Sequence, residues 1–249
     1  MRLWQQLKGF DFITLLDKHA FRIVENQYNI ATRKLVDNTY EHDILEAMID
    51  GTKPYVATHN KHGKLHWLLF TPFRYPPLLW GSRFGKITEP SLFYASLELE
   101  TAMAEVSFRQ FIHLNASEAS FEPTDISFTH IKVAVATNKA LHLEHHPFDP
   151  HRNIISDPTS YAISQPLGTD MREYGIEAFT YFSARKKEGL NLAIFYPDVF
   201  AKNAPLEQKL WSAFVSKSHI EFRNAYTHHL MVEFPLSDFL VDGKLPLVY

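Results

Sequence analysis

The chain has 249 residues, 45% of them hydrophobic, and a formal net charge of −3. That composition supports a packed core and excludes a disordered chain, while the acidic balance excludes the basic footprint of a direct nucleic-acid binder. With no cysteine in the chain, disulfides, thiolate nucleophiles and zinc–cysteine sites are excluded.

The N-terminal stretch MRLWQQLKGFDFITLLDKHAFRIVE has acidic residues and no small-residue cleavage site after an apolar run. No run of 18 apolar residues occurs anywhere, so no membrane span is expected, and a cytoplasmic location is the expectation. Along the chain, YEHDILEAMID (40–50) carries Ile44, Leu45 and Met48 at helical spacing, with Gly51 as a stop. LHWLLF (65–70) is a short apolar run that predicts a strand. TPFRYPPLLWGSRFG (71–85) holds three prolines and two glycines and predicts an ordered loop. SLFYA (91–95) predicts a strand, and Ser96 is placed to cap the helix that follows, with Glu98 and Glu100 in its first turn. In that helix Leu99, Ala102, Met103 and Val106 form the buried stripe. Glu105 falls about 110° from the centre of the stripe, at its edge.

Further on, IKVAVAT (131–137) alternates as a strand, and GTDMREYG (168–175) predicts a short helix closed by Gly175. IEAFTYF (176–182) and NLAIFY (191–196) predict strands joined by a charged turn. Residues 206–214 suggest a helix, and HHLMVEF (228–234) a late strand. Strands and short helices without a regular βαβ rhythm predict an α+β fold.

No Gly-rich phosphate loop, G-x-S-x-G elbow or H-E-x-x-H motif is present. HLEHHPFDPH brings His142, His145, His146 and His151 close in sequence. Imidazoles suit zinc, nickel or copper, but Pro147 and Pro150 break any helix that would align the rings, so an exposed loop without metal is the expectation. Arg83, Tyr94 and Glu105 are equally spaced on a loop, a strand and a helix. Arginine suits bidentate phosphate binding, and Arg74 lies in the same loop. Tyrosine can stack on a ring. Glutamate can hold ribose hydroxyls and stabilise an oxocarbenium-like transition state. From spacing alone, a strand–helix unit with solvated polar edges is the better explanation of these residues.

GSRF, then FYAS, then ETAMAEVSF, and later YGIEAFTYFSARKKEGLNLAIFYPDVF (174–200), resemble the RES domain family. In that family's late segment a strand ends at a serine, followed by Ala-Arg, a glycine turn and an Asn-led strand. FRIVENQYNIATRKLVD (21–37), Lys53-Pro54 and TPFRYPP (71–77) resemble a subgroup with a longer N-terminal segment. The resemblance covers about residues 20–225. It implies one RES-type domain over 1–249, with 1–70 packed on it or contributing to it, and a mixed sheet like that of ADP-ribosyltransferases.

The resemblance also implies an NAD-degrading toxin paired with an Xre-type helix-turn-helix antitoxin. Arg83, Tyr94, Glu105 and Ser183 carry over as the catalytic set. Arg22, Arg74, Tyr161 and Gln165 are the expected substrate-binding residues, Arg74 from its place in the loop and the other three from the resemblance. Nicotinamide is already a cationic leaving group, so no general acid, metal or cofactor is required. NAD+ is the substrate and inorganic phosphate the expected co-substrate, with water as the alternative acceptor. Transfer of ADP-ribose to a macromolecule, or a catalytically silent antitoxin-binding protein, remain alternatives, and a homodimer is left open.

Overall fold

The computed structural model describes residues 2–26, 38, 40–41, 44–45, 48–49, 59–61, 63–75, 78–116 and 121–246. Gly51 and most of the 21–37 motif after Asn26 lie outside the described residues. Where they are described, Ile44, Leu45 and Met48 are helical as expected. No described helix is long and apolar enough to cross a membrane.

After a single helical turn, Leu3–Gln6, comes β1, Thr14–Glu25. A two-residue hairpin follows, β2 His59–Asn60 and β3 Gly63–Lys64, and leads into the helix Trp67–Arg74. Then come β4 Phe93–Ser96, the helix Leu99–Asn115 and the long β5, Thr124–His142. The helix Ser164–Glu173 precedes β6 Ala178–Phe182 and β7 Leu190–Ile194. Three consecutive antiparallel strands follow: β8 Glu207–Val215, β9 His219–Asn224 and β10 Leu230–Pro235. This is the α+β class expected.

The eight larger strands make one mixed sheet in the order β1-β4-β7-β6-β5-β8-β9-β10, and β1 also pairs with β5. The pairings of β1, β4, β7, β6 and β5 therefore close on themselves. Length makes this work: β5 keeps one edge against β1 from Phe128 to Ala140. Its other edge meets β8 over Thr124–Lys132 and then, in parallel, β6 at Ala140–His142. Between those partners the chain at 199–206 covers the edge, with Ala201 and Leu206 N–H donating to the Ala134 and Lys132 carbonyls.

Apolar side chains fill both faces. The helix Leu99–Asn115 lays Ala102, Met103, Val106 and Phe111 on Phe128, Trp211, Ala213 and Phe222. On the other side, Leu167 and Met171 of the Ser164–Glu173 helix pack with Phe84, Phe179 and Tyr181. Gly175 ends that helix with φ +74°, as its place in the sequence predicts.

Four expectations are corrected. Residues 67–70 are helical, not a strand, and 71–74 continue that helix instead of opening the loop expected over 71–85. Leu65, Leu68, Leu69 and Phe73 are the buried positions, and their i, i+3, i+4, i+8 spacing is one face of a helix. His66 caps it, its ring accepting from the Leu68 N–H at 3.2 Å. Residues 207–215 are a strand, not a helix. Trp211, Ala213 and Val215 are buried alternately, and pairing along both edges with β5 and β9 overrides the helical preference of LEQKL. Ser96 does not cap the next helix. It ends β4, and Glu98 occupies the cap position without a side-chain cap bond.

Candidate active site

Ser96, Asn191 and Tyr181 occupy one row across β4, β7 and β6. Directly paired residues of antiparallel strands share a face, so the row presents a hydroxyl, an amide and a phenol side by side. The Ser96 hydroxyl donates to Asn191 Oδ1 at 2.7 Å, and Asn191 Nδ2 donates to Glu105 Oε1 at 2.6 Å. Ser183, one residue past β6, donates to the same Glu105 oxygen at 2.7 Å. Its hydroxyl also accepts from the Arg185 and Lys186 N–H groups. Both described hydrogen bonds to the Glu105 carboxylate thus fall on one oxygen. Ser183, Asn191 and Ser96 are buried, while Glu105 is half-buried and lines a cavity of about 620 Å³.

Five cations line that cavity, Arg22, Arg83, Lys86, Arg109 and Arg185, against two carboxylates, Glu89 and Glu105. Glu89 is engaged by the Lys86 N–H and the Thr169 hydroxyl. In a chain of net charge −3, this concentration of positive charge would suit an anion. Arg22 Nη1 donates to the Tyr94 carbonyl at 2.7 Å, and its buried Nε has no partner among the described residues. Burial, reinforced by Arg109, pulls the Arg22 guanidinium down to about 9. Burial likewise pulls Arg185, lying 3.4 Å over the Phe108 ring, down to about 10, with Glu105 opposing. Both remain cations at neutral pH, yet are desolvated, which is the state an incoming anion relieves.

Arg83 lies in the loop that proline and glycine content predicts, with its side chain turned inward. It is buried; Nη1 donates to the Asp157 carbonyl at 2.7 Å, and the guanidinium lies 5.0 Å over the Tyr161 ring. Its loop is tightly wound: Gly81 has φ +71°, and a Cβ there would come within 2.3 Å of the Gly85 carbonyl oxygen. The Tyr94 hydroxyl braces the same loop, 2.9 Å from Ser82 Oγ and accepting from the Phe84 N–H at 3.1 Å. Burial pushes the Tyr94 phenol up to about 12 and Tyr181 well above its ordinary value, Glu105 adding to the latter. Gln165 Nε2 reaches the carbonyls of Trp80, Ser82 and Gly85.

Of the residues singled out from the sequence, Arg22, Arg83, Tyr94, Glu105 and Tyr161 line the one cavity. Ser183 stands behind it, on Glu105. Gln165 spends its amide on the loop, and Arg74 ends its helix outside the cavity lining. Sequence reasoning missed Asn191, Ser96, Tyr181, Arg109 and Arg185 as members of the site. Arg185 and Asn191 follow Ser183 within the same quoted motif, so the signal for them was present. Ser96 and Tyr181 join through strand register alone.

Residues 54–215 match the family model described as RES domain. No curated protein matches the chain. Arg22, on β1, lies outside the matched span, yet β1 pairs with β5 along most of its length and lends the cavity a cation.

Proposed function

This chain belongs to the RES domain family, and on that premise we propose that it cleaves the nicotinamide–ribose bond of NAD+, transferring ADP-ribose to inorganic phosphate. The family is one of NAD-acting toxins of toxin–antitoxin systems. The observation that carries the finer reading is the Glu105 carboxylate, fixed through one oxygen by Ser183 and Asn191, in a cavity to which five cations contribute.

In the proposed reaction the bond between the ribose C1″ and the nicotinamide nitrogen breaks, and its electron pair leaves with nicotinamide, which becomes neutral. A phosphate oxygen forms the new bond to C1″, giving ADP-ribose 1″-phosphate. Glu105 stabilises the positive charge that develops on the sugar, and its effect is larger in the transition state than in the ground state. Arg22, Arg109 and Arg185 hold the diphosphate and the attacking phosphate. Arg83 and Tyr94 set the loop that closes one wall, and the Tyr161 and Tyr181 rings supply apolar wall. Ser183 and Asn191 position Glu105. As a toxin it would be held in check by an Xre-type antitoxin protein.

Incubation of pure protein with NAD+, with and without phosphate, followed by mass analysis, tests this. ADP-ribose 1″-phosphate formed only with phosphate is the expected result. ADP-ribose under both conditions would make water the acceptor, and unchanged NAD+ under both would overturn the reading.

A further inference from the structure

At the far end of β5 the histidine-rich stretch forms a second polar cluster that does not line the cavity. His142 ends β5 opposite Thr180 of β6. Glu144 and His145 follow in the turn, where the His145 N–H donates to the His142 carbonyl. His142 Nδ1 lies 3.2 Å from Glu144 Oε1 and 2.8 Å from Thr180 Oγ1. Thr180 is fully buried, and the Glu144 side chain is nine-tenths buried. Among the described residues, Glu144's only ion-pair partner is His142.

The direction of each hydrogen bond defines what the cluster requires. His142 Nε2 is 3.4 Å from the Leu15 carbonyl oxygen. A carbonyl only accepts, so Nε2 carries a hydrogen. The single Thr180 hydrogen is shared between the two Glu144 oxygens, at 2.7 and 2.8 Å. His142 Nδ1, Thr180 Oγ1 and Glu144 Oε1 therefore face one another at a spacing that one cation can bridge. A proton on Nδ1 is one such cation. A divalent metal is the other, and two features favour it. A backbone carbonyl on the remote ring nitrogen is the usual outer partner of a ligating histidine. Donors about 2.0–2.1 Å from a tetrahedral zinc ion stand roughly 3.3 Å apart, close to the 3.2 Å between Nδ1 and Oε1. His145 brings a third donor: one ligand atom each from His142, Glu144 and His145 lies within 4.8 Å of the others. His145 is exposed, so packing does not oppose the ring rotation that closes the remaining distance.

We infer that His142, Glu144 and His145 bind a first-row divalent cation, best matched by Zn2+, which ties the ends of β5 and β6 together and takes no part in the cavity chemistry. Imidazole and carboxylate donors with one position left for Thr180 or water suit that ion.

The test uses tag-free, chelator-treated protein titrated with Zn2+, read by calorimetry and by thermal melting. One equivalent per chain and a raised Tm are expected. His145→Ala removes an exposed side chain and should weaken Zn2+ binding by roughly tenfold or more, at least the loss seen when an outer-shell partner is removed. Glu144→Gln should do the same, with circular dichroism confirming its fold. His228→Ala combined with His229→Ala, two exposed histidines elsewhere, should leave binding unchanged. No stoichiometric binding by the native chain would leave His142 with a proton only and overturn the inference. Equal affinity in His145→Ala would also overturn it.

Discussion

Glu105 and Glu144 are built alike and do different things. Each is a carboxylate held by a hydroxyl from β6 or its end: Ser183 for Glu105 and Thr180 for Glu144. The difference lies in how many oxygens are used. Glu144 has both oxygens engaged by Thr180 and one also by His142. Its charge is spent inside its own cluster, against Thr180 and His142. Glu105 keeps its two described bonds on one oxygen and lines a cavity rich in arginine. A carboxylate can therefore be fixed in place without having its charge cancelled, provided the donors share one side of it.

Exchanging each carboxylate for its amide gives the largest contrast. Glu105→Gln keeps size and reach but loses the charge, and NAD+ turnover should fall by about 10²–10³ or more. Thermal stability should stay within roughly 1 kcal/mol. Glu144→Gln should leave turnover near that of the native chain. Steady-state assays and melting curves on the two proteins check this, and equal loss of turnover in both would break the contrast.

Removing the hydroxyls sharpens it. Ser183→Ala frees Glu105 to rotate and should lower kcat by roughly tenfold or more, a positioning effect. Thr180→Val removes the matching bond at Glu144 and should cost about 1–3 kcal/mol of stability, the penalty for an unmet buried polar group, with kcat unchanged. Urea unfolding alongside turnover separates the two. Asn191→Ala combines both effects, since it takes a donor from Glu105 and a partner from Ser96.

Arg83→Lys probes the wall between the two behaviours. Lysine keeps the charge but loses the planar fork that stacks on Tyr161 and reaches the Asp157 carbonyl. A stability loss of about 1–3 kcal/mol is expected together with weaker NAD+ binding, measured by denaturation and calorimetry. Loss of binding with no loss of stability would make Arg83 a ligand contact alone. The smallest effect is expected from Gln165→Leu, which leaves three loop carbonyls without its amide. A drop of about 1 kcal/mol in stability should appear with little change in kcat.

Local chemistry determined the amphipathic helix from Leu99 to Asn115, the strands around Phe93–Ser96, Ala178–Phe182 and Leu190–Ile194, and the Gly175 stop. Each is written in periodicity or turn residues within a short window. The loop–strand–helix placement of Arg83, Tyr94 and Glu105 was legible for the same reason. Short windows failed where two periods compete. LHWLLF fits a strand until Phe73 extends its pattern into a helical face, and LEQKL fits a helix until β5 and β9 claim both its edges. The tertiary structure alone decided the register that sets Ser96, Asn191 and Tyr181 in one row, the return of Arg22 from an N-terminal strand to the cavity, and the burial of Arg83. Those outcomes depend on which strands pair and at what offset. A one-residue slip in that pairing reverses every side chain, and no stretch of sequence short enough to read by pattern contains both partners.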